Sequence, residues 1–123
     1  MAKIVVKHSD KCMTIHATGT ITYDEILTTL EQNGSQILRD LIWDCSAVDN
    51  IQITSDEIMG LPKIARKYMV NRAAGGKTAL VSSVPHVFGI FNQYAVYAEI
   101  SKQKYSVMTF RTLAEASRWI EAE

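Results

Sequence analysis

Twice in this chain the pattern Thr-x-x-Glu stands directly ahead of a helical run, first as Thr22-Tyr23-Asp24-Glu25 and again as Thr54-Ser55-Asp56-Glu57. In such a box the threonine hydroxyl accepts from a free amide of the first helical turn, and the glutamate carboxylate accepts from the threonine's own amide. Apolar residues follow at helical spacing: Ile26, Leu27 and Leu30 after the first box, Ile58, Leu61, Ile64, Ala65 and Tyr68 after the second. Each box also follows a strand-like segment. A chain that repeatedly starts helices out of strands builds right-handed crossovers onto a largely parallel sheet.

The remaining segments extend that alternation. Lys3 to His8 places Ile4 and Val6 on one face, and Cys12 to Thr18 does the same with Met13, Ile15 and Ala17. Only Ser9-Asp10-Lys11 separates them, so the two form an antiparallel hairpin. Gly19 is expected to end the second strand, and Asn33-Gly34 to stop the first helix. Leu41-Ile42-Trp43 is a short apolar run of the kind buried on both faces, and Thr78 to Val81 is another. Pro62, beyond the first turn of the second helix, predicts a kink or a later start. Pro85 opens a third helix, Tyr105 to Phe110 is the last strand, and Leu113 to Ala122 the last helix. Ala116, Trp119 and Ile120 face inward there, so Trp119 is expected to be largely buried, as is Trp43. The order is β-β-α-β-α-β-α-β-α: an α/β fold with a mixed, mostly parallel five-stranded sheet, an N-terminal antiparallel hairpin and four helices, in one domain over 1–123.

Composition narrows the function classes. Thirteen basic residues balance thirteen acidic ones, which argues against a nucleic-acid binder. Met1 to Lys11 lacks the apolar core of a signal peptide, and no window reaches the roughly eighteen apolar residues of a membrane helix. A cytoplasmic protein without membrane insertion is expected. Cys12 and Cys45 are too few and too far apart for a disulfide framework or a metal pair, and suit reduced thiols in or near the core.

Three local patterns resemble the anti-sigma-factor-antagonist-like (SpoIIAA-like or STAS-like) superfamily. Gly19-Thr20-Ile21-Thr22-Tyr23-Asp24-Glu25 is similar to the family's lead into its first helix. Leu41-Ile42-Trp43-Asp44-Cys45-Ser46-Ala47-Val48 is similar to its strand carrying Asp-x-Ser, and Phe110 to Ile120 to its aromatic, Trp-containing tail. The resemblance implies a regulatory scaffold that meets protein partners. It also implies a phosphorylated serine in an Asp-Ser-Ser-Gly turn, and here the chain departs from the family. The corresponding stretch is Asn50-Ile51-Gln52-Ile53-Thr54-Ser55-Asp56-Glu57, in which Ser55 is the nearest match, without the glycine and among acidic residues.

Other constellations are weak. Gly75-Gly76-Lys77-Thr78 is no phosphate loop, because Asn71 stands where the first glycine belongs and the order is helix, loop, strand. Lys63, Arg66, Lys67, Arg72 and Lys77 form the most basic stretch, expected as a solvated face near a helix end. His8, Asp10, Cys12 and His16 match no metal spacing, and no metal or cofactor is expected. Asp44 and Asp49 suit loop chemistry, and an enzyme using Asp44, Cys45 or Ser55 is the weakest reading.

Two candidate sites remain. Thr54 or Ser55 caps the second helix, where a regulatory phosphate would meet the helix dipole but also Asp56 and Glu57, with Asp44 and Asp49 adding repulsion if they fold toward the cap. The third helix carries Phe88, Phe91, Tyr94 and Tyr97 at three-residue steps, more apolar surface than one core stripe needs. That surplus suits a protein partner, a homodimer contact or a small apolar, lipid-like ligand. The leading expectation is a non-catalytic regulatory or interaction module, with ligand binding as the alternative.

Overall fold

The computed structural model describes residues 2–122. The elements are β1 (Lys3–His8), β2 (Cys12–Thr22), α1 (Tyr23–Asn33), a 3-10 turn (Gly34–Gln36), β3 (Asp40–Gln52), α2 (Ser55–Tyr68), β4 (Lys77–Val81), α3 (Pro85–Ile100), β5 (Ser106–Phe110) and α4 (Leu113–Glu121). The strands make one sheet in the order β1-β2-β3-β4-β5, antiparallel between β1 and β2 and parallel elsewhere. This is the architecture expected from the sequence.

Three successive crossovers step in the same direction across the sheet, so α1, α2 and α3 lie together on one face. Leu30, Leu61, Ala65, Val87 and Phe91 from these helices pack on Met13, Ile15, Leu41, Trp43 and Leu80 from the strands. After β5 the chain crosses over the sheet, and α4 sets Ala116 against Ile42, Ala79 and Val81 on the second face.

Trp43 is buried as expected, but Trp119 is only half-buried, because it sits at the margin of the smaller cluster beneath α4. Its ring leans on Phe110, with centroids 5.5 Å apart.

Several local readings change. The second strand does not end at Gly19. It continues to Thr22 alongside a thirteen-residue β3, and Gly19 supplies the left-handed backbone, φ +82°, that the irregular pairing requires. His16 pairs Asp44 while Thr18 pairs Ala47, and Gly19 pairs Val48 while Thr20 pairs Asn50. Each shift inserts an extra β3 residue and breaks the alternation by which a strand is recognised. Asp44 and Asp49 therefore lie within β3 rather than in a loop.

Gly34 does not adopt a left-handed cap either. Its φ is −57°, and a Cβ there would sit 2.6 Å from the Tyr68 carbonyl oxygen, so close approach of α2 demands the glycine. Helix α2 starts at Ser55 and runs through Pro62, so the proline does not delay its start.

The expected basic face is partly dismantled. Lys63, Arg66 and Lys67 are exposed, but Arg72 is buried, its Nε donating to the Arg39 carbonyl at 2.7 Å and its guanidinium lying 3.9 Å from the Tyr105 ring centroid. Lys77 Nζ donates to the carbonyls of Trp119, at 2.7 Å, and Ala122, closing the end of α4. Both residues hold the fold together.

Candidate functional site

In the parallel part of the sheet the strands end, and helices begin, at one edge, which is where such sheets present their sites. Ile21 pairs Ile51 and Thr22 pairs Gln52, so the starts of α1 and α2 lie side by side. Both capping boxes form. Thr22 Oγ1 accepts from the Glu25 amide at 3.2 Å, and Glu25 Oε1 accepts from the Thr22 amide at 2.9 Å. At α2 the corresponding distances are 3.1 Å from Glu57 to Thr54 Oγ1 and 2.9 Å from Thr54 to Glu57 Oε1.

The cap of α2 is therefore Thr54, and Ser55 is its first helical residue. Ser55 is exposed and takes part in no side-chain hydrogen bond among the described residues. Met59, one turn further on the same face, is 54% exposed. The acidic groups that could repel an anion at this cap are Asp56 and Glu57 alone in the first turn. Asp49 accepts from Thr20 at 2.9 Å and Asp44 is engaged on the sheet, so neither hydrogen-bonds to the cap.

On the second face of the sheet, His16 Nδ1 lies 2.8 Å from Asp44 Oδ2. Asp44 Oδ1 accepts from the Ser46 amide at 3.1 Å and from its hydroxyl at 2.5 Å. Burial would raise the Asp44 carboxyl, but the hydrogen bonds from Ser46 and His16 outweigh it and hold the group below its usual range. The outward phase of His16 in β2 was readable, whereas its pairing with Asp44 depended on the unforeseen register of β3.

The Ser46 hydroxyl donates to Asp44 Oδ1, while the imidazole meets Oδ2 of the same carboxylate. Cys45 points to the opposite face, and burial, then the neighbouring Asp44 charge, pushes its thiol up to about 12. Among the described residues no three His, Cys, Asp or Glu side chains gather in a group able to hold a metal ion.

The aromatic residues of α3 do not form one surface. Phe91 is 7% exposed and belongs to the main core. Tyr94 turns its phenol inward, where burial and then Tyr105 raise its pKa, while part of the residue stays at the surface. Phe88 is half-buried beneath the Arg111 guanidinium, 4.3 Å from its ring centroid, and Tyr97 is half-buried as well. The large apolar residues that α3 exposes are Val96, at 55%, and Ile100, at 69%. The three-residue steps of the aromatics drift around a 3.6-residue helix and so cannot stay on one stripe.

Beneath α1, α2 and α3 lies an apolar cavity of about 70 Å³ that includes Phe91 and Tyr94 in its wall. No described helix is long and apolar enough to cross a membrane.

The backbone has solved counterparts. A crystal structure of an anti-sigma factor antagonist from Mycobacterium paratuberculosis superposes with a TM-score of 0.65 over 99% of this chain and 96% of that one, at 15% identity. The chain has the SpoIIAA-like fold. A SpoIIAA-like protein from Shewanella loihica PV-4 gives a TM-score of 0.55 at 13% identity, covering 97% of this chain and 93% of its own. The anti-sigma factor antagonist SpoIIAA in its unphosphorylated form gives 0.53 at 13% identity, over 98% and 100%. No family model matches the sequence. A search of curated proteins finds no match either. On the SpoIIAA-like scaffold of this chain, the start of α2 and part of α3 are exposed.

Proposed function

We propose that this SpoIIAA-like chain is a non-catalytic regulatory module of the cytoplasm that works by binding a protein partner, or a second copy of itself, through the start of α2. One observation carries the reading: the Thr54–Glu57 box holds the helix end rigid while leaving Ser55, Asp56 and Met59 exposed. An exposed methionine bordered by polar groups makes an adaptable contact. The likeness to anti-sigma factor antagonists supports a partner that is itself a protein. Ser55 is the free hydroxyl of this surface, and a phosphate on it would add roughly −1.5 to −2 charges beside Asp56, changing what the surface accepts. Val96 and Ile100 on α3 offer a second apolar patch for the same purpose.

The test is the native mass of the purified protein, alone and after incubation with extract from cells that produce it. Ser55→Asp and Met59→Glu should each remove the dimer or the retained partner, with the melting temperature nearly unchanged. If both folded variants keep the wild-type assembly, the start of α2 is not the contact surface.

A further inference from the structure

The layer between the sheet and its three helices is not completely filled. The cavity of about 70 Å³ is bounded by Leu41, Trp43 and Leu80 from the strands and by Leu30, Ala65 and Phe91 from the helices. Its wall residues are apolar apart from Thr78 and Tyr94. Thr78 is 4% exposed, and its Oγ1 has no hydrogen-bond partner.

That hydroxyl is costly where it stands. A buried polar group left unpaired is destabilising, and valine would fill the same volume on a central strand without this penalty. Two further partnerless groups lie at the same end of the β4–β5 pair. Thr78 pairs with Val107, and Tyr105, two residues earlier on the same face of the sheet, has a buried hydroxyl without a partner. Arg72, stacked on Tyr105, keeps Nη2 unpaired, and its Nη1 reaches the sulfur of Met69, a wall residue, at 3.5 Å.

Away from Thr78 and Tyr94 the wall is a poor setting for water. A buried water needs two to four polar partners, and apolar cavities stay dry and take up apolar molecules. On the scale of an engineered cavity of about 150 Å³ that takes up the six heavy atoms of benzene, this space has room for about three or four. A lipid chain does not fit: the space is under half of the 150 Å³ quoted for an engineered cavity that binds benzene.

We propose that this cavity is a binding site for a small, neutral, largely apolar molecule of about three or four heavy atoms bearing one hydrogen-bonding oxygen, such as a short-chain alcohol or ketone, with its oxygen held by Thr78. The hydrocarbon part occupies the space between Leu41, Leu80 and Phe91, and a ketone oxygen accepts from the threonine hydroxyl. The site is independent of the α2 contact surface proposed above.

The experiment is a titration of the isotopically labelled chain with acetone, read from amide and methyl shifts, with xenon as a purely apolar probe. Wild type should show saturable shifts confined to wall residues with both probes. Thr78→Val should bind xenon as before and acetone roughly fivefold more weakly, the effect of losing one hydrogen bond. Ala65→Leu, which fills the space, should bind neither. Should Ala65→Leu fail to fold, the Thr78→Val comparison decides alone. Absence of saturable shifts with either probe overturns the site, and equal acetone affinity in wild type and Thr78→Val overturns the role of the hydroxyl.

Discussion

The two faces of the sheet are made from the same strands yet are finished to different degrees. On the face under α1, α2 and α3, Ile15 and Val87 are wholly shielded and Leu41 is 2% exposed. On the other face only Ile42, Ala79, Val81 and Ala116 form a buried cluster, while Val5 and Met108 remain 41% and 44% exposed. Five strands about 4.8 Å apart span about 19 Å, and a single helix covers about 10–12 Å. Helix α4 therefore shelters part of this face, and β1 and β2 meet water there with Lys3, Lys7 and the partly exposed His16. Stability is thus concentrated on one side of the sheet, and the edge where its helices begin is free to carry contacts.

The largest effect should come from the complete face. Phe91→Ala should cost about 3–5 kcal/mol in urea denaturation, whereas Trp119→Ala, removing a half-buried ring from the margin of the other face, should cost about 2 kcal/mol. Equal losses at the two positions would break the comparison. Full burial of Trp119, as its helical stripe implied, would have placed both variants in the same range.

At the helix starts the contrast is between neighbouring hydroxyls. Thr54→Ala should lower stability by about 1 kcal/mol, and Ser55→Ala should stay within about 0.5 kcal/mol of wild type. A reversal would assign the cap to Ser55 and remove the free hydroxyl from the proposed surface.

The smallest effect belongs to the open face. His16→Ala should cost less than about 1 kcal/mol, as expected for a partly exposed pair. The sign of the pH dependence follows from Asp44, whose carboxyl is held below its usual value in the folded chain. Its contribution is fully present above the unfolded value of about 3.9 and is lost as pH falls through the lower folded value. The stability gap between wild type and Asp44→Asn should narrow as pH falls below about 4. A gap that does not narrow there would contradict the hydrogen bonds assigned to this carboxylate.

The element order, both capping boxes and the Pro85 start were legible because each rests on local chemistry within a few residues. The lengths of β2 and β3 were not, since two bulges displace the alternation that reveals a strand. Arg72 was misplaced for a related reason: a guanidinium buried on Tyr105 and tied to the Arg39 carbonyl depends on contacts more than thirty residues away in sequence. Of the candidate site, Thr54 and Ser55 were singled out correctly as the start of α2, but the division of roles between them needed the hydrogen bonds. Phe91 was drawn into a surface it does not join, because an excess of apolar residues does not say which of them face outward. Met59 carried no signal of its own beyond standing one turn after Ser55.

The central claim is that contacts are made from the start of α2 and not from the half-covered face. A photo-crosslinking residue placed at Met59, with a matched one at Met108, tests it most directly in cells that produce the protein. The account predicts an adduct of one defined mass from position 59, lost when Ser55→Asp is added, and none from position 108. Adducts from position 108 alone, or from position 59 regardless of Ser55→Asp, would contradict it.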